Sequence, residues 1–317
     1  ILEALLILSA LIDIVHTKNG QPYSMVNIMY PAYFACGYFV VQNYDSEDFL
    51  LQYERVLFGF AILSLLGMSV YYINPSLIYS FPTYVQNDAT HHTLYFFNYL
   101  FSDGWMAVRN TGVAWEPGLF QLLLNIALQF AIRKYDGNKR LIRVIIYLVA
   151  IVLTRSTIGY VIMIVNIFSL IKERKLYLFL FVISIVALGA SIHEEVAFQL
   201  QNKLIGSVAF AARYEPLVNA IKISWNRLFG LGSTGYDELL KSMKIGSFDS
   251  YTQILMRYGY PVLVCIISRI INLWKKQERG IAIIIALGFL SEPIWGCSLI
   301  AAFLFLRTVN VNNKKHA

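Results

Sequence analysis

Residues 109–134 read RNTGVAWEPGLFQLLLNIALQFAIRK, a polar segment that turns abruptly into an apolar run with a basic end. Arg109 and Glu116 lie within the polar segment, and Pro117 follows Glu116 directly. Proline is tolerated in the first turn of a helix, and the residue before a proline avoids helical geometry. We therefore predict an apolar helix over residues 118–132, with Glu116 at its N-terminal end.

Apolar runs of this kind recur along the whole chain. The protein has 317 residues, of which 57% are apolar or aromatic and 14% are charged, and its mean hydropathy is +0.57. A soluble domain carries about 25% charged residues. Runs such as VLFGFAILSLLGMSVYYI at residues 56–73 approach the ~20 residues that cross a hydrocarbon core. The sequence therefore predicts an all-α, polytopic membrane protein, with one integral membrane domain over residues 1–317 and about ten transmembrane or half-membrane helices.

The basic residues indicate how these helices cross the membrane. The predicted spans and hairpins cover residues 1–15, 25–41, 56–73, 118–132, 141–170, 176–192, 251–274 and 281–306. The clusters RKYDGNKR, KERK, KKQER and NNKK all fall on one side, which the lysine and arginine bias assigns to the cytoplasm. Two large loops, residues 74–117 and 193–250, then face outward with the turn TRST and the break SEP. This topology, and not nucleic-acid binding, explains the net charge of +7.

Several helix starts are predicted on the outward side. Besides Glu116, the turn TRST and Asp249 supply side chains that are suited to cap helices running inward. Helix N-termini carry partial positive charge and free N–H groups that attract anions. Guanidinium groups match phosphate oxygens in pairs, and three arginines accompany these starts, namely Arg109, Arg155 and Arg213. We therefore expect a pyrophosphate-binding surface on the outward side.

Structural explanations compete with this interpretation. Glu116 is equally explained as a favourable helix start, and Arg213 as an ion-pair partner of Glu215. Arg155 is harder to explain in this way, since a charge at mid-depth of a bilayer costs roughly 2.5–3.5 kcal/mol and a turn between apolar helices requires none. The stretch FGLGSTGYD at residues 229–237 lacks the lysine and the strand–helix context of a phosphate loop, so we interpret it as a flexible loop.

Four motifs follow one another along the chain: RNTGVAWEPG, LTRSTIGY, RYEPLVNAIKISWNRLFGLGSTGYD and SFDSYTQILMRYGYPVLV. In this order, over roughly residues 109–263, they resemble the O-antigen polymerases of the Wzy family, which are related to O-antigen ligases. The resemblance implies a GT-C-like fold and an enzyme of the bacterial inner membrane whose active site faces the periplasm. It also implies polymerisation of repeat units carried on undecaprenyl pyrophosphate, with a chain-length regulator protein as a further partner. No cofactor and no metal ion are expected.

The resemblance implies roles for individual residues as well. Glycosyl transfer requires that the acceptor hydroxyl lose its proton and that the departing pyrophosphate be stabilised. The ligase relatives carry a histidine just before a late span, where this sequence has Asp249, so Asp249 is the expected base and Glu116 the alternative. Arg109, Arg155 and Arg213 are expected to bind pyrophosphate. The candidate sugar or lipid contacts are Trp115, Tyr214, Trp225 and Arg257.

Two other functions stay open at this point. An O-antigen ligase would transfer finished polymer to the lipid A core, but Asp249 in place of a histidine favours the polymerase. A flippase for lipid-linked oligosaccharide would also use broken helices, such as the one predicted at Glu292 and Pro293. A transporter would carry charged residues deep in several spans, whereas this sequence concentrates polar groups at one face. These features favour an outward-facing glycosyltransferase.

Overall fold

The computed structural model describes residues 2, 6–7, 26–86, 89–94, 97–102, 108–171, 218–219, 221–223, 225–243, 249–276 and 278–307. Over these residues the chain is mostly helical, as predicted. It divides into two compact units, which we call the terminal unit (residues 1–49 and 208–317) and the central unit (residues 50–207). Each unit has its own cluster of buried side chains. A compact unit is not by itself a separately folding domain, so the single-domain prediction stays a prediction.

The elements comprise helices towards both ends of the described chain and one sheet between them. In chain order they are α1 (Val26–Asn43), α2 (Ser46–Ile73), α3 (Pro75–Tyr79), β1 (Thr83–Gln86), β2 (Ala89–Leu94), β3 (Phe97–Ser102), β4 (Arg109–Asn110), α4 (Pro117–Lys134), α5 (Gly137–Leu153), α6 (Thr157–Ile171), α7 (Gly232–Met243), α8 (Ser250–Lys275), α9 (Arg279–Phe289) and α10 (Ser298–Leu304). The predicted span over residues 176–192 and nearly all of the span over residues 1–15 lie outside the described residues.

Helix α2 starts earlier than the predicted span of residues 56–73, because the acidic stretch before that span caps the helix. The Asp45 carboxylate accepts hydrogen bonds from the backbone N–H groups of Glu47 (2.8 Å) and Asp48 (3.4 Å). Acidic side chains in a first turn also stabilise the N-terminus of a helix. The chain from Ser46 to Ile73 is therefore one continuous helix.

Residues 83–110 contain an antiparallel sheet, which corrects the all-α prediction for this part of the first predicted loop. The four strands are hydrogen-bonded in chain order, each antiparallel to the next. The first three read TYVQ, ATHHTL and FNYLFS, and threonine and aromatic residues of this kind favour strands. The register pairs Leu100 with Arg109, so the sheet fixes the backbone of Arg109 on its last strand.

Helix α4 is the most deeply buried helix of the central unit. It begins at Pro117 and ends in Arg133 and Lys134, which confirms the predicted start and the basic end. Every residue from Pro117 to Ile132 is buried. Helices α5 and α6 pack against it and are joined at residues 154–156, which confirms the predicted hairpin.

In the terminal unit, α8 is the longest helix and is followed by a broken pair. Helix α9 ends at Phe289 and α10 begins at Ser298, so the break predicted around SEP is confirmed. Helix α8 itself bends at Gly259, where φ is 76° and ψ is −169°. Helices α1 and α10 approach closely at Gly37, since a Cβ atom there would lie 2.6 Å from the carbonyl oxygen of Ser298.

Two of the described helices, α2 and α8, are long and apolar enough to cross a membrane. Both expose large apolar side chains: Val56 (52%) and Leu66 (55%) on α2, and Val264 (58%) and Ile271 (48%) on α8. Large apolar side chains that are exposed on such long apolar helices are suited to contact lipid or another protein. The described residues therefore form a mostly helical chain with two membrane-capable helices.

Candidate functional site

The turn between α5 and α6 holds Arg155 in an unusual backbone conformation. Its φ is 51°, which makes it the one residue other than glycine with a positive φ in the described part of the chain, and its exposed fraction is 8%. This left-handed conformation costs an L-residue roughly 1–2 kcal/mol. Ser156 follows, and its hydroxyl accepts a hydrogen bond from the backbone N–H of Gly159 (3.4 Å), which confirms the predicted cap of α6. Strained residues of this kind cluster at functional sites.

Arg109 reaches the same turn from strand β4. Its Nε donates to the carbonyl oxygen of Thr154 (3.2 Å), and its Nη2 donates to the carbonyl oxygen of Arg155 (3.5 Å). The sheet fixes the backbone of Arg109, and the turn accepts its guanidinium. Two of the three arginines predicted to bind pyrophosphate are therefore brought together in the central unit.

A tight turn connects Arg109 to the predicted carboxylate at the start of α4. The Asn110 side chain accepts a hydrogen bond from the backbone N–H of Gly112 (3.0 Å), and Gly112 has a φ of 54°. A Cβ atom at Gly112 would lie 2.3 Å from the ring of Phe120, so only glycine fits. Glu116 is extended, with φ −149° and ψ 139°, and within the described residues its side chain makes no capping hydrogen bond. The structure therefore offers no capping role for the Glu116 carboxylate.

A row of amide side chains connects α4 to α6 below this turn. Asn125 Nδ2 donates to Gln121 Oε1 (3.1 Å) and to the carbonyl oxygen of Gly159 (3.4 Å), and Asn166 Nδ2 donates to Asn125 Oδ1 (3.0 Å). All three amide side chains are buried. Their bonds hold α6 against α4 and so fix the position of the turn that carries Arg155. This row was not predicted from the sequence, although the spacing of four residues between Gln121 and Asn125 in an apolar helix was a usable signal.

In the terminal unit, Asp249 caps α8 as predicted. Its Oδ1 accepts a hydrogen bond from the backbone N–H of Thr252 (3.1 Å), and its Oδ2 accepts one from the hydroxyl of the same residue (2.6 Å). The Ser250 hydroxyl donates to the carbonyl oxygen of Glu292 (2.5 Å) and accepts from the backbone N–H of Ile294 (2.9 Å). The start of α8 is therefore tied to the break between α9 and α10.

Arg257 lies in the first half of α8 and is 5% exposed. Its Nη2 forms an ion pair with Asp237 Oδ1 at 2.9 Å. The ring of Tyr236 lies against the guanidinium, with its centroid 4.2 Å from Cζ, and the ring of Tyr30 lies at 5.8 Å. Among the described residues, the buried Nε and Nη1 atoms of Arg257 have no hydrogen-bond partner. This arginine is a stronger binding candidate than its sequence position alone suggested.

The backbone of the glycine-rich stretch after Trp225 is hydrogen-bonded to α8. This corrects the interpretation of the stretch as a flexible loop. The backbone N–H of Leu231 donates to the carbonyl oxygen of Met256 (2.7 Å), and the backbone N–H of Tyr260 donates to the carbonyl oxygen of Leu228 (3.1 Å). A Cβ atom at Gly259 would lie 2.1 Å from the latter oxygen. The bend in α8 therefore makes room for the backbone of residues 228–231.

The predicted site residues divide between the two units. The central unit contains Arg109, Trp115, Glu116 and Arg155, and the terminal unit contains Trp225, Asp249 and Arg257, while Arg213 and Tyr214 lie outside the described residues. Trp115 and Trp225 are exposed, and their role as sugar contacts stays a prediction. The meeting of Asp249 with the arginines of the central unit stays a prediction. No protein-family model matches this chain, and no curated protein and no solved structure matches it either.

Proposed function

We propose that this protein is a polytopic membrane glycosyltransferase that polymerises oligosaccharide repeat units carried on undecaprenyl pyrophosphate. The observation that carries the proposal is the Arg109 guanidinium, which bonds to the carbonyl oxygens of Thr154 (3.2 Å) and Arg155 (3.5 Å). Two cations expected to bind pyrophosphate thus share one interhelical turn beside a capped helix start. Proteins use such groups to bind phosphate. The order of the four sequence motifs supports the same assignment.

The proposal includes a location in the bacterial inner membrane, with the active site facing the periplasm. The long apolar helices α2 and α8 and their exposed apolar side chains support a membrane location. These two helices and further apolar runs, such as residues 176–192, are together sufficient for about ten transmembrane or half-membrane helices in a GT-C-like arrangement. The basic end of α4 fits the cytoplasmic side, so the turn at Arg155 belongs to the periplasmic side. A chain-length regulator is the further protein partner.

The proposed reaction moves the growing glycan from its lipid carrier to a new repeat unit. The bond between the anomeric carbon and a pyrophosphate oxygen breaks, and its electrons leave with the lipid pyrophosphate. Arg109, Arg155 and Arg213 would stabilise the negative charge that develops there. A hydroxyl of the acceptor sugar attacks the anomeric carbon and gives its proton to a carboxylate. A single displacement of this kind inverts the configuration of the sugar linkage.

Asp249 is the proposed base and Glu116 the alternative. A carboxylate offers about four lone-pair positions, and the two hydrogen bonds from Thr252 occupy two of those on Asp249. A sugar hydroxyl can therefore still bind to it. Glu116 has a partly exposed side chain, so it is also accessible to an acceptor.

The test uses a strain deleted for this gene, complemented with variants of the full chain, and gel analysis of its surface polysaccharide. We expect Arg155→Ala to leave single repeat units on lipid while the protein level in the membrane stays normal. The exposed Arg55 serves as the matched control, and Arg55→Ala should restore long chains. Asp249→Asn keeps a good helix cap but removes the proton acceptor, so it should also abolish chain extension.

The same gels separate the alternatives. Free polymer on the undecaprenyl carrier in the deletion strain would assign the ligase activity instead, and absence of outward lipid-linked sugar would assign a flippase. Long chains from Arg155→Ala at normal protein level would contradict the polymerase site. If Asp249→Asn makes long chains and Glu116→Gln does not, then Glu116 is the base.

A further inference from the structure

Arg257 occupies a place in which a charge is costly. It follows Ser250 by seven residues, which puts it about 10 Å along α8 at a rise of ~1.5 Å per residue. Helix α8 is one of the two membrane-capable helices, and Arg257 is 5% exposed. Ionisable residues inside membrane helices are rare and mark substrate or ion positions. The ion pair with Asp237 supplies one reason for this arginine but does not use all of its donors.

The guanidinium of Arg257 lies beside two aromatic rings, and not all of its nitrogen atoms are bonded. The ring of Tyr236 lies 4.2 Å from Cζ and the ring of Tyr30 lies 5.8 Å from it, so free donors in the plane of the group are the positions left for a ligand. The Asp237 carboxylate pairs with Nη2 of the guanidinium. The buried Nε and Nη1 atoms make no hydrogen bond in the part of the chain that the structure describes. Buried donors in this state are strong binding positions for an oxyanion.

The two unused nitrogens select among oxyanions by their geometry. Nε and Nη1 lie on different edges of the guanidinium, with Nη2 and its bound Asp237 carboxylate between them. A single carboxylate pairs with two nitrogens of one edge and cannot satisfy both. A diphosphate carries several oxygens on two phosphorus atoms and can reach both nitrogens around the Asp237 carboxylate.

We infer that Arg257 binds a diphosphate group of the substrate, in a position additional to the Arg109 and Arg155 turn. The assignment of this diphosphate to an undecaprenyl carrier rests on the proposed function, in which donor and acceptor both carry pyrophosphate. Asp237 is the resident counter-charge, and its half-exposed side chain, 38% exposed, neutralises Arg257 when the position is empty. The bend at Gly259 and the bound segment of residues 228–231 fix the helix around it.

The test measures binding by the purified full chain in detergent, as the rise in melting temperature with inorganic pyrophosphate. A background with both Arg109→Ala and Arg155→Ala removes the contribution of the other arginine turn. We expect a saturable rise that persists in Arg227→Gln, an exposed arginine of the same unit, and disappears in Arg257→Gln. Asp237→Asn removes a competing negative charge, so it should tighten pyrophosphate binding at least about threefold.

The outcomes separate this inference from the proposed function. The inference is overturned if pyrophosphate raises the melting temperature of Arg257→Gln as much as before, or if it raises the melting temperature of no variant. If glucuronate and not pyrophosphate gives a rise in melting temperature that depends on Arg257, the diphosphate assignment is overturned and an acidic sugar is indicated. If Arg257→Gln does not fold, weaker or unchanged pyrophosphate binding in Asp237→Asn overturns the inference on its own. If the polysaccharide gels contradict the polymerase assignment, a measured binding of pyrophosphate by Arg257 remains valid.

Discussion

Two ion pairs, one in each unit, differ in which member is buried and in how completely the polar atoms of that member are bonded. In the central unit, Glu54 is 0% exposed, and its Oε1 accepts from Arg143 Nη1 (2.5 Å) and from the Tyr147 hydroxyl (2.9 Å). Its Oε2 accepts from the Tyr135 hydroxyl (2.9 Å). The guanidinium of Arg143 lies over the rings of Phe58 (4.2 Å) and Tyr135 (4.3 Å). Both carboxylate oxygens therefore have partners inside the fold.

The pair in the terminal unit has the opposite character. Its cation, Arg257, is buried and keeps two nitrogens without a partner among the described residues, while its acid, Asp237, is half-exposed. A buried pair with all its groups bonded holds a fold together, because removing either member leaves an uncompensated charge. A buried pair with unused donors is suited to bind something else. The comparison therefore separates a structural pair, whose buried acid is bonded at both oxygens, from a binding pair, whose buried cation keeps unused donors.

The largest effect is expected for Glu54→Gln. This change leaves Arg143 without its counter-charge and should lower the free energy of unfolding by about 3–5 kcal/mol. Thermal or denaturant unfolding of the detergent-solubilised protein measures it. Asp48→Asn, at an exposed acid of the same helix, is the control and should change stability by less than about 0.5 kcal/mol.

A second variant checks the cause of that loss. Replacing Glu54 and Arg143 together by methionine removes both charges, and buried pairs replaced in this way are often neutral or stabilised. We expect the double variant to recover most of the stability that Glu54→Gln loses. A double variant as unstable as the single one would show that the pair acts through its shape and not its charge.

An intermediate effect is expected for Tyr135→Phe, which removes one hydrogen bond to Glu54. Burial, and then the hydrogen bond and charge of Glu54, raise the pKa of Tyr135 above its ordinary value of 10.0. Because the folded state holds the phenol proton more tightly, this contribution is fully present below pH 10 and is lost as the pH rises through the folded-state pKa. The variant should be about 1 kcal/mol less stable at neutral pH.

The measurement for Tyr135→Phe is the stability of wild type and variant between neutral pH and the alkaline range above pH 10. The difference between them should shrink as the pH rises, since only the wild type loses the Tyr135 contribution. A constant difference over the whole range would contradict the link between this phenol and the Glu54 cluster.

The smallest effect on stability is expected for Arg257→Met. Methionine fills a similar volume beside Tyr236, and the half-exposed Asp237 can be hydrated once its partner is gone. The free energy of unfolding should change by less than about 1 kcal/mol, in contrast to Glu54→Gln. A loss as large as that of Glu54→Gln, measured in the same unfolding experiment, would make Arg257 a structural residue and remove the distinction between the two pairs.

Local signals explain which features could be predicted. Pro117 predicted the start of α4, and Asp249 predicted the start of α8, because proline geometry and side-chain capping act within the first helical turn. Apolar runs predicted the long helices, and the SEP break was visible in the last one. The strands of residues 83–110 also carried a local signal in their threonine and aromatic residues, but a loop was expected there.

Interactions between distant parts of the chain explain what was missed. Glu54 was not singled out from the sequence, because its partner Tyr147 lies 93 residues away in the chain. The bend at Gly259 follows from the approach of residues 228–231, and a single glycine in an apolar helix gives no sign of it. Arg109 was recognised by its charge, but the turn that accepts its guanidinium lies 45 residues further on.

The sequence by itself determined the helical class, the places where helices begin and break, and the identity of the charged groups. These depend on apolar content, proline geometry and caps, which act over a few residues. Only the tertiary structure decided which charges are saturated and which keep unused donors, as in Glu54 and Arg257. The reason is that a hydrogen bond depends on which surfaces meet in space, and residues far apart in the chain carry no local record of that meeting.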